Sequence, residues 1–273
     1  MVPARLPCRL VTFHPTRELP SGAAMPVLGL GVWQMAEGTE TEQAVEWALE
    51  AGYRSIDTAA MYGNERSVGA ALRRSGVPRE QVFVTTKLMP ARLAPDKALE
   101  ASLRRLELGY VDLYLIHWPL PSLYQRQWRA LEQLQERGLA RDIGVSNFGA
   151  TQLDTLARRG KRVPAVNQIK LSPFHYRPRV IERCAQSGIV VEAYSPLAQG
   201  KHIDHHAIRE VAERTERTPA QVMLRWALQH GAVVIPKSSR RDRIRSNAEL
   251  FDFALDAASM TALDALDRSS RPH

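Results

Sequence analysis

The chain has 273 residues, 44% of them hydrophobic, which suffices for a sizeable core in one α/β barrel or in two smaller domains. No apolar run reaches the ~18 residues of a membrane span, and the opening MVPARLPCRL lacks the continuous apolar block of a secretory signal. Net charge is +8, from 37 basic and 29 acidic residues, but only six of the basic residues are Lys and the Arg residues are scattered along helical stretches. That distribution argues against a nucleic-acid surface, which gathers its cations in one patch. Two cysteines, Cys8 and Cys184, cannot build a disulfide framework and fit a reducing cytoplasm.

Residues 1–10 read as an N-terminal extension, and 11–273 as a single domain. Thr12–Pro26, with Pro15, Pro20, Gly22 and Pro26 around short apolar pieces, predicts a β-hairpin. After it, apolar strands alternate with amphipathic helices. The strands are Val27–Val32, Arg54–Asp57, Val82–Lys87, Val111–His117, Asp142–Ser146, Ala165–Gln168, Ile189–Tyr194 and Ala232–Lys237. Helices are expected near Thr41–Ala51, Asn64–Ser75, Pro95–Leu106, Tyr124–Arg137, Ala150–Arg158, Pro178–Ser187 and His205–Glu216. Two more, Thr218–His230 and Arg240–Ala248, flank the last strand.

Strict alternation implies parallel pairing with right-handed crossovers. Eight units with no composition break favour a closed (β/α)8 TIM barrel over an open doubly wound sheet. Each apolar run also ends in a polar or aromatic residue: Trp33, Asp57, Lys87, His117, Ser146-Asn147, Gln168, Tyr194 and Lys237. A barrel brings all eight carboxyl ends to one face, whereas an open sheet would string them along an edge.

The chemistry of that face starts from Tyr62. A phenol with an ordinary pKa of about 10 is protonated at neutral pH and can give a proton to a developing alkoxide. Lys87 would stabilise the phenolate left behind and lower that pKa. Asp57 would pair with Lys87 and offset its burial, and His117 offers a second donor to the same oxygen. The set suits protonation of a carbonyl oxygen while something else attacks the carbon. Metal-assisted hydrolysis is the chemical rival, with Lys201-His-Ile-Asp-His-His206 as its candidate ligand cluster. The adjacent His205 and His206 splay apart, however, and the strand ends offer one His beside a cation-repelling Lys, so no metal is expected.

The attacking group is read as a hydride. Tyr194 could stack on a nicotinamide ring, with Asn147 and Gln168 bonding its carboxamide. Further on, Val233-Val-Ile-Pro-Lys-Ser-Ser239 leads into an Arg-rich helix start, an arrangement that suits an anion. Lys237 and Arg243 would hold a phosphate there, as the 2′-phosphate of NADPH requires. No Gly-x-Gly-x-x-Gly follows any strand, so the Rossmann mode of dinucleotide binding is absent.

From Pro26 to Leu266 the chain resembles the aldo-keto reductases. The resemblance is carried by LGLGVWQ at 28–34, IDTAAMYGNE at 56–65, TTKL at 85–88, DLYLIHWP at 112–119, IGVSNF at 143–148, VNQI at 166–169, YSPLAQG at 194–200, IPKS at 235–238 and FDF at 251–253. It implies a barrel with a hairpin-plugged base and a catalytic tetrad of Asp57, Tyr62, Lys87 and His117. It further implies NADPH lying across the mouth, contacted by Ser146, Asn147, Gln168, Tyr194, Ser195, Leu197, Lys237, Ser238, Arg243 and Asn247. Trp33, Tyr62, His117 and Trp118 would line the substrate pocket. Within that family the chain resembles short prokaryotic members such as the 2,5-diketo-gluconate reductases. Ser246 stands where many members carry a Glu that contacts the adenine. The short loop Pro119–Ser122 and the short tail after Leu266 imply an open pocket and broad carbonyl specificity. The expected protein is a cytoplasmic, monomeric, NADPH-dependent reductase of aldehydes and ketones; the alternative is a regulatory barrel that holds NADPH with little turnover.

Overall fold

The computed structural model describes residues 15–267; the expected extension at 1–10 and the first residues of the expected hairpin lie outside them. The hairpin itself is present, with β1 (Thr16–Glu18) antiparallel to β2 (Ala24–Pro26). Eight parallel strands follow: β3 (Leu30–Gly31), β4 (Ser55–Asp57), β5 (Phe83–Leu88), β6 (Val111–Ile116), β7 (Ala140–Ser146), β8 (Val166–Lys170), β9 (Val190–Tyr194) and β10 (Val233–Val234). They pair in chain order. The last strand returns to the first through a parallel bridge between Leu28 and Val234 and through bonds from Gly29 N to Val234 O (2.9 Å) and from Gly31 N to Pro236 O (3.2 Å). The expected barrel is therefore closed.

Between β3 and β10 run α1 (Thr39–Glu50), α2 (Glu65–Arg74), α3 (Pro95–Leu106), α4 (Tyr124–Glu136), α5 (Ala150–Arg159), α6 (Pro178–Gln186), α7 (His206–Thr215) and α8 (Pro219–Gln229). After β10 come α9 (Arg241–Ser246) and a further helix, α10 (Ala257–Asp264), that the sequence reading did not anticipate. Local chemistry sets these bounds. Pro95 opens α3 with its φ already helical, Asp96 and Arg104-Arg105 complement the helix dipole, and Glu107 ends it in the left-handed region. Thr218 caps α8 through a reciprocal pair with Gln221, with Pro219 in the first turn.

The last expected strand, Ala232–Lys237, is paired only at Val233–Val234. Pro236 has no N–H to give the ladder, and its carbonyl serves the closing seam instead. The main core lies between strands and helices. A smaller cluster fills the barrel's amino-terminal end, where Leu19 and Met25 of the hairpin pack on Phe83, Leu113, Val166 and Val233. The hairpin thus plugs the base, as expected.

Candidate active site

Each of the four residues of the expected tetrad reaches the carboxyl-terminal face from a different turn of chain. Asp57 ends β4, Lys87 lies in β5, His117 follows β6, and Tyr62 sits in the short helical turn Ala60–Tyr62 after β4. The structure brings them together. Lys87 Nζ lies 2.6 Å from Asp57 Oδ1, 2.9 Å from the Thr58 carbonyl and 3.2 Å from the Tyr62 hydroxyl. The Tyr62 and His117 rings meet edge to face at 5.7 Å. Asp57, Lys87 and His117 are all buried.

Burial governs the electrostatics. It raises the Tyr62 pKa further than the Lys87 ammonium lowers it, and Asp57 adds to the rise. The phenol is therefore a weaker acid than its free form, contrary to the net lowering expected from Lys87 alone, and is fully protonated at neutral pH. Burial pulls Lys87 down, but its acidic surroundings, Asp57 foremost through its charge and its hydrogen bond, outweigh it, so the ammonium is kept. Burial, with help from Lys87, pushes His117 down to about 3, so its imidazole is neutral and offers one N–H donor. The arrangement holds a neutral phenol and a neutral imidazole beside a fixed cation, which suits proton donation to an oxygen that becomes negative.

The loop carrying Tyr62 is held by a residue the sequence reading passed over. Asn64 is buried; its Oδ1 accepts from Thr58 Oγ1 at 2.9 Å, and its Nδ2 donates to the carbonyls of Val32 (2.9 Å) and Met35 (3.2 Å). Glu192 was also missed. Its Oε2 accepts from Gln168 Nε2 at 2.7 Å, and the same nitrogen donates to Asp57 Oδ2 at 2.7 Å. Gln168, expected to bond a cofactor carboxamide, spends its amide nitrogen on these two carboxylates, so only its oxygen is suited to that task. A charged residue in the middle of an apolar strand was the available signal for Glu192.

The remaining expected cofactor residues fall into two groups. Ser146, Asn147 and Tyr194 form one network: Tyr194 OH donates to Asn147 Oδ1 at 2.9 Å, and Asn147 Nδ2 donates to Ser146 Oγ (3.0 Å) and to the His117 carbonyl (3.2 Å). Asn147 holds a φ of 64°, and Ser195 one of 50°. Leu197 packs against the core. The second group lies beyond β10. Lys237 and Arg243 are exposed and have no ion-pair partner among the described residues, whereas neighbouring Arg240 and Arg241 pair with Asp242 and Glu50. Ser238 and Asn247 are buried beside them in sequence. Half-buried Ser246 borders an open cleft of about 470 Å³ among α7, α8 and α9.

Trp33 and Trp118 stand 43% and 42% exposed after β3 and β6, and Trp118 stacks on His117 at 4.7 Å. Met61, 47% exposed and next to Tyr62, joins them as an apolar group on the same face. In the rival metal cluster, His202 and His205 lie against the Phe174 ring at 4.4 and 5.3 Å. No group of three or more His, Cys, Asp or Glu side chains among the described residues is arranged to hold a metal ion.

Residues 27–268 match the Aldo/keto reductase family. An aldo-keto reductase of Mycolicibacterium vanbaalenii is 51% identical over 94% of each chain. The methylglyoxal reductase DkgA of Yersinia pestis is 47% identical over 96% of each. A solved Bombyx mori aldo-keto reductase in complex with NADP superposes with a TM-score of 0.88 at 35% identity, covering 95% of each chain. Barrel and plugged base agree with these likenesses: the chain is an oxidoreductase and belongs to the aldo/keto reductase family.

Proposed function

We propose that the protein reduces aldehydes and ketones to alcohols with NADPH, Tyr62 donating the proton. The observation that carries this is the buried Lys87 ammonium 3.2 Å from the Tyr62 hydroxyl and 2.6 Å from Asp57. When bound, the reduced nicotinamide supplies a hydride to the carbonyl carbon. Tyr62 and His117 then meet the oxygen as negative charge develops, and Lys87 stabilises the phenolate until it is reprotonated. Substrate and cofactor both need the same carboxyl-terminal face, and the residues there fit them.

Tyr194 presents a ring whose hydroxyl is anchored by Asn147. Lys237 and Arg243, exposed and without an ion pair among the described residues, are suited to hold a phosphate. The methylglyoxal reductase and the NADP-bound relative support the same reading. Trp33, Met61 and Trp118 make an apolar rim suited to small carbonyl compounds of varied shape. On the same proposal the protein is a monomer of the cytoplasm. A barrel that only held nucleotide would have no use for a buried Lys87–Asp57 pair beneath a phenol.

The deciding experiment follows loss of NADPH absorbance with a panel of small aldehydes, keto-sugars and keto-esters, for the wild type and Tyr62→Phe. The expected result is turnover in the first and retained NADPH binding without comparable turnover in the second. Equal turnover in both, with the fold intact, overturns the role of Tyr62. NADPH binding with no consumption across the panel points to the regulatory reading.

A further inference from the structure

The barrel interior holds a carboxyl group that the proposed reaction does not use. Glu192 lies in the middle of β9 in register with Gln168 on β8 and Val233 on β10. It is wholly buried; its Oε2 accepts from Gln168, and its Oε1 is buried with no hydrogen-bond partner. The charged groups that face it are Asp57, reached through the shared Gln168 nitrogen, and Lys87.

One cation and two carboxylates share this buried interior. With both carboxylates ionised the cluster would carry a net negative charge, and Glu192 would leave a charged oxygen unsolvated, which is far costlier than leaving a neutral one. Asp57 is in contact with the ammonium and Glu192 is not. The proton therefore belongs on Glu192. Building on the proposed reduction, we propose that Glu192 is a neutral carboxylic acid that positions Asp57 through Gln168, and that its ionisation weakens Tyr62 as a proton donor.

The direction follows from charge. A second anion beside Lys87 offsets the field that lowers the Tyr62 pKa, so the phenol gives up its proton less readily. Burial first, and then the Asp57 charge, hold the Glu192 carboxyl up at about 8. The proton is retained below that pH and lost to solvent above it, so reduction slows as pH rises through this range.

Two measurements test this. The first is the pH profile of kcat for carbonyl reduction. The wild type should show a descending limb near pH 8. Glu192→Gln, whose amide oxygen still accepts from Gln168, should lose that limb and decline only where Tyr62 itself ionises. Glu192→Leu, which lacks the acceptor, should lower kcat about tenfold at every pH. The same limb in wild type and Glu192→Gln overturns the proposal. The second measurement needs no turnover. Infrared difference spectra of the folded protein between neutral and alkaline pH should show a protonated carboxyl band in the wild type that is missing from Glu192→Gln. A band that survives in Glu192→Gln places the proton on Asp57, and no band in the wild type means that Glu192 is ionised; either outcome overturns the proposal, even where carbonyl reduction itself fails.

Discussion

At the amino-terminal end of the barrel the carboxylates Asp142 and Asp112 have partners. Asp142 accepts from the backbone and hydroxyl of Ser21 in the hairpin. Asp112 takes Arg79 at 2.7 Å and Arg141 at 3.4 Å, and both guanidinium groups lie 4.2 Å from the Tyr110 ring centre. Toward the carboxyl-terminal end the bookkeeping is left open. His117 Nδ1 and Glu192 Oε1 are buried without partners, Lys237 and Arg243 have no ion pair among the described residues, and Trp33, Met61 and Trp118 face solvent. Non-glycine residues with left-handed φ also gather there, at Gln34, Asn147, Ser195, Ala198 and Gln199; the other two, Glu107 and Glu216, are ordinary helix ends. One end of the fold spends its residues on stability, and the other holds strain and unmet bonding capacity for a ligand.

If that division is right, changes at the two ends will separate activity from stability. Largest should be Tyr62→Phe, which is expected to lower kcat by about 10²–10⁴-fold with little change in Tm, as read by steady-state kinetics and thermal melts. Lys87→Met should do comparable harm and also cost about 3–5 kcal/mol of stability, because it leaves Asp57 buried without its cation. A destabilised Lys87→Met with normal kcat would blur the division. At the base, Met25→Ala should cost about 2–5 kcal/mol in denaturant unfolding while kcat stays at the wild-type value. A fall in kcat would show that the plug shapes the mouth. Arg243→Ala should raise KM for NADPH about 10–100-fold and leave KM for NADH nearly unchanged, since one charge-assisted contact is worth about 1.5–3 kcal/mol. Equal effects on the two would remove the 2′-phosphate assignment. Smallest is Ser21→Ala, expected to cost about 1 kcal/mol of stability and nothing in turnover.

Much of this was readable in advance, for identifiable reasons. Parallel strands buried on both faces read as near-continuous apolar runs, so residues 113–116, every one of them buried, stand out in the sequence. Polar residues at the ends of such runs had to meet once the barrel closed, which made Asp57, Lys87 and His117 legible together. Pro95–Leu106 was legible to the residue because a proline opens it and charge flanks it. What stayed hidden depended on distance in the chain. Glu192 reads as an interruption in VVEAY until Gln168, 24 residues earlier, is seen to join it to Asp57, 111 residues from Gln168. The acidity of Tyr62 depended on how deeply the ring is buried, which motif spacing does not reveal. Ala257–Asp264, short and rich in small residues, has too little apolar periodicity to announce a helix.

The Asn64 side chain has a consequence for redesign. By bonding Thr58 behind it and the backbone at Val32 and Met35 across from it, it clasps the segment bearing Trp33 to the segment bearing Met61 and Tyr62. That side of the proposed site is therefore one clasped unit that carries Tyr62, and altering its shape should displace the proposed proton donor as well. Residues 118–123 make no side-chain hydrogen bond to that unit among the described residues, and retargeting the proposed activity to bulkier carbonyl compounds should begin there.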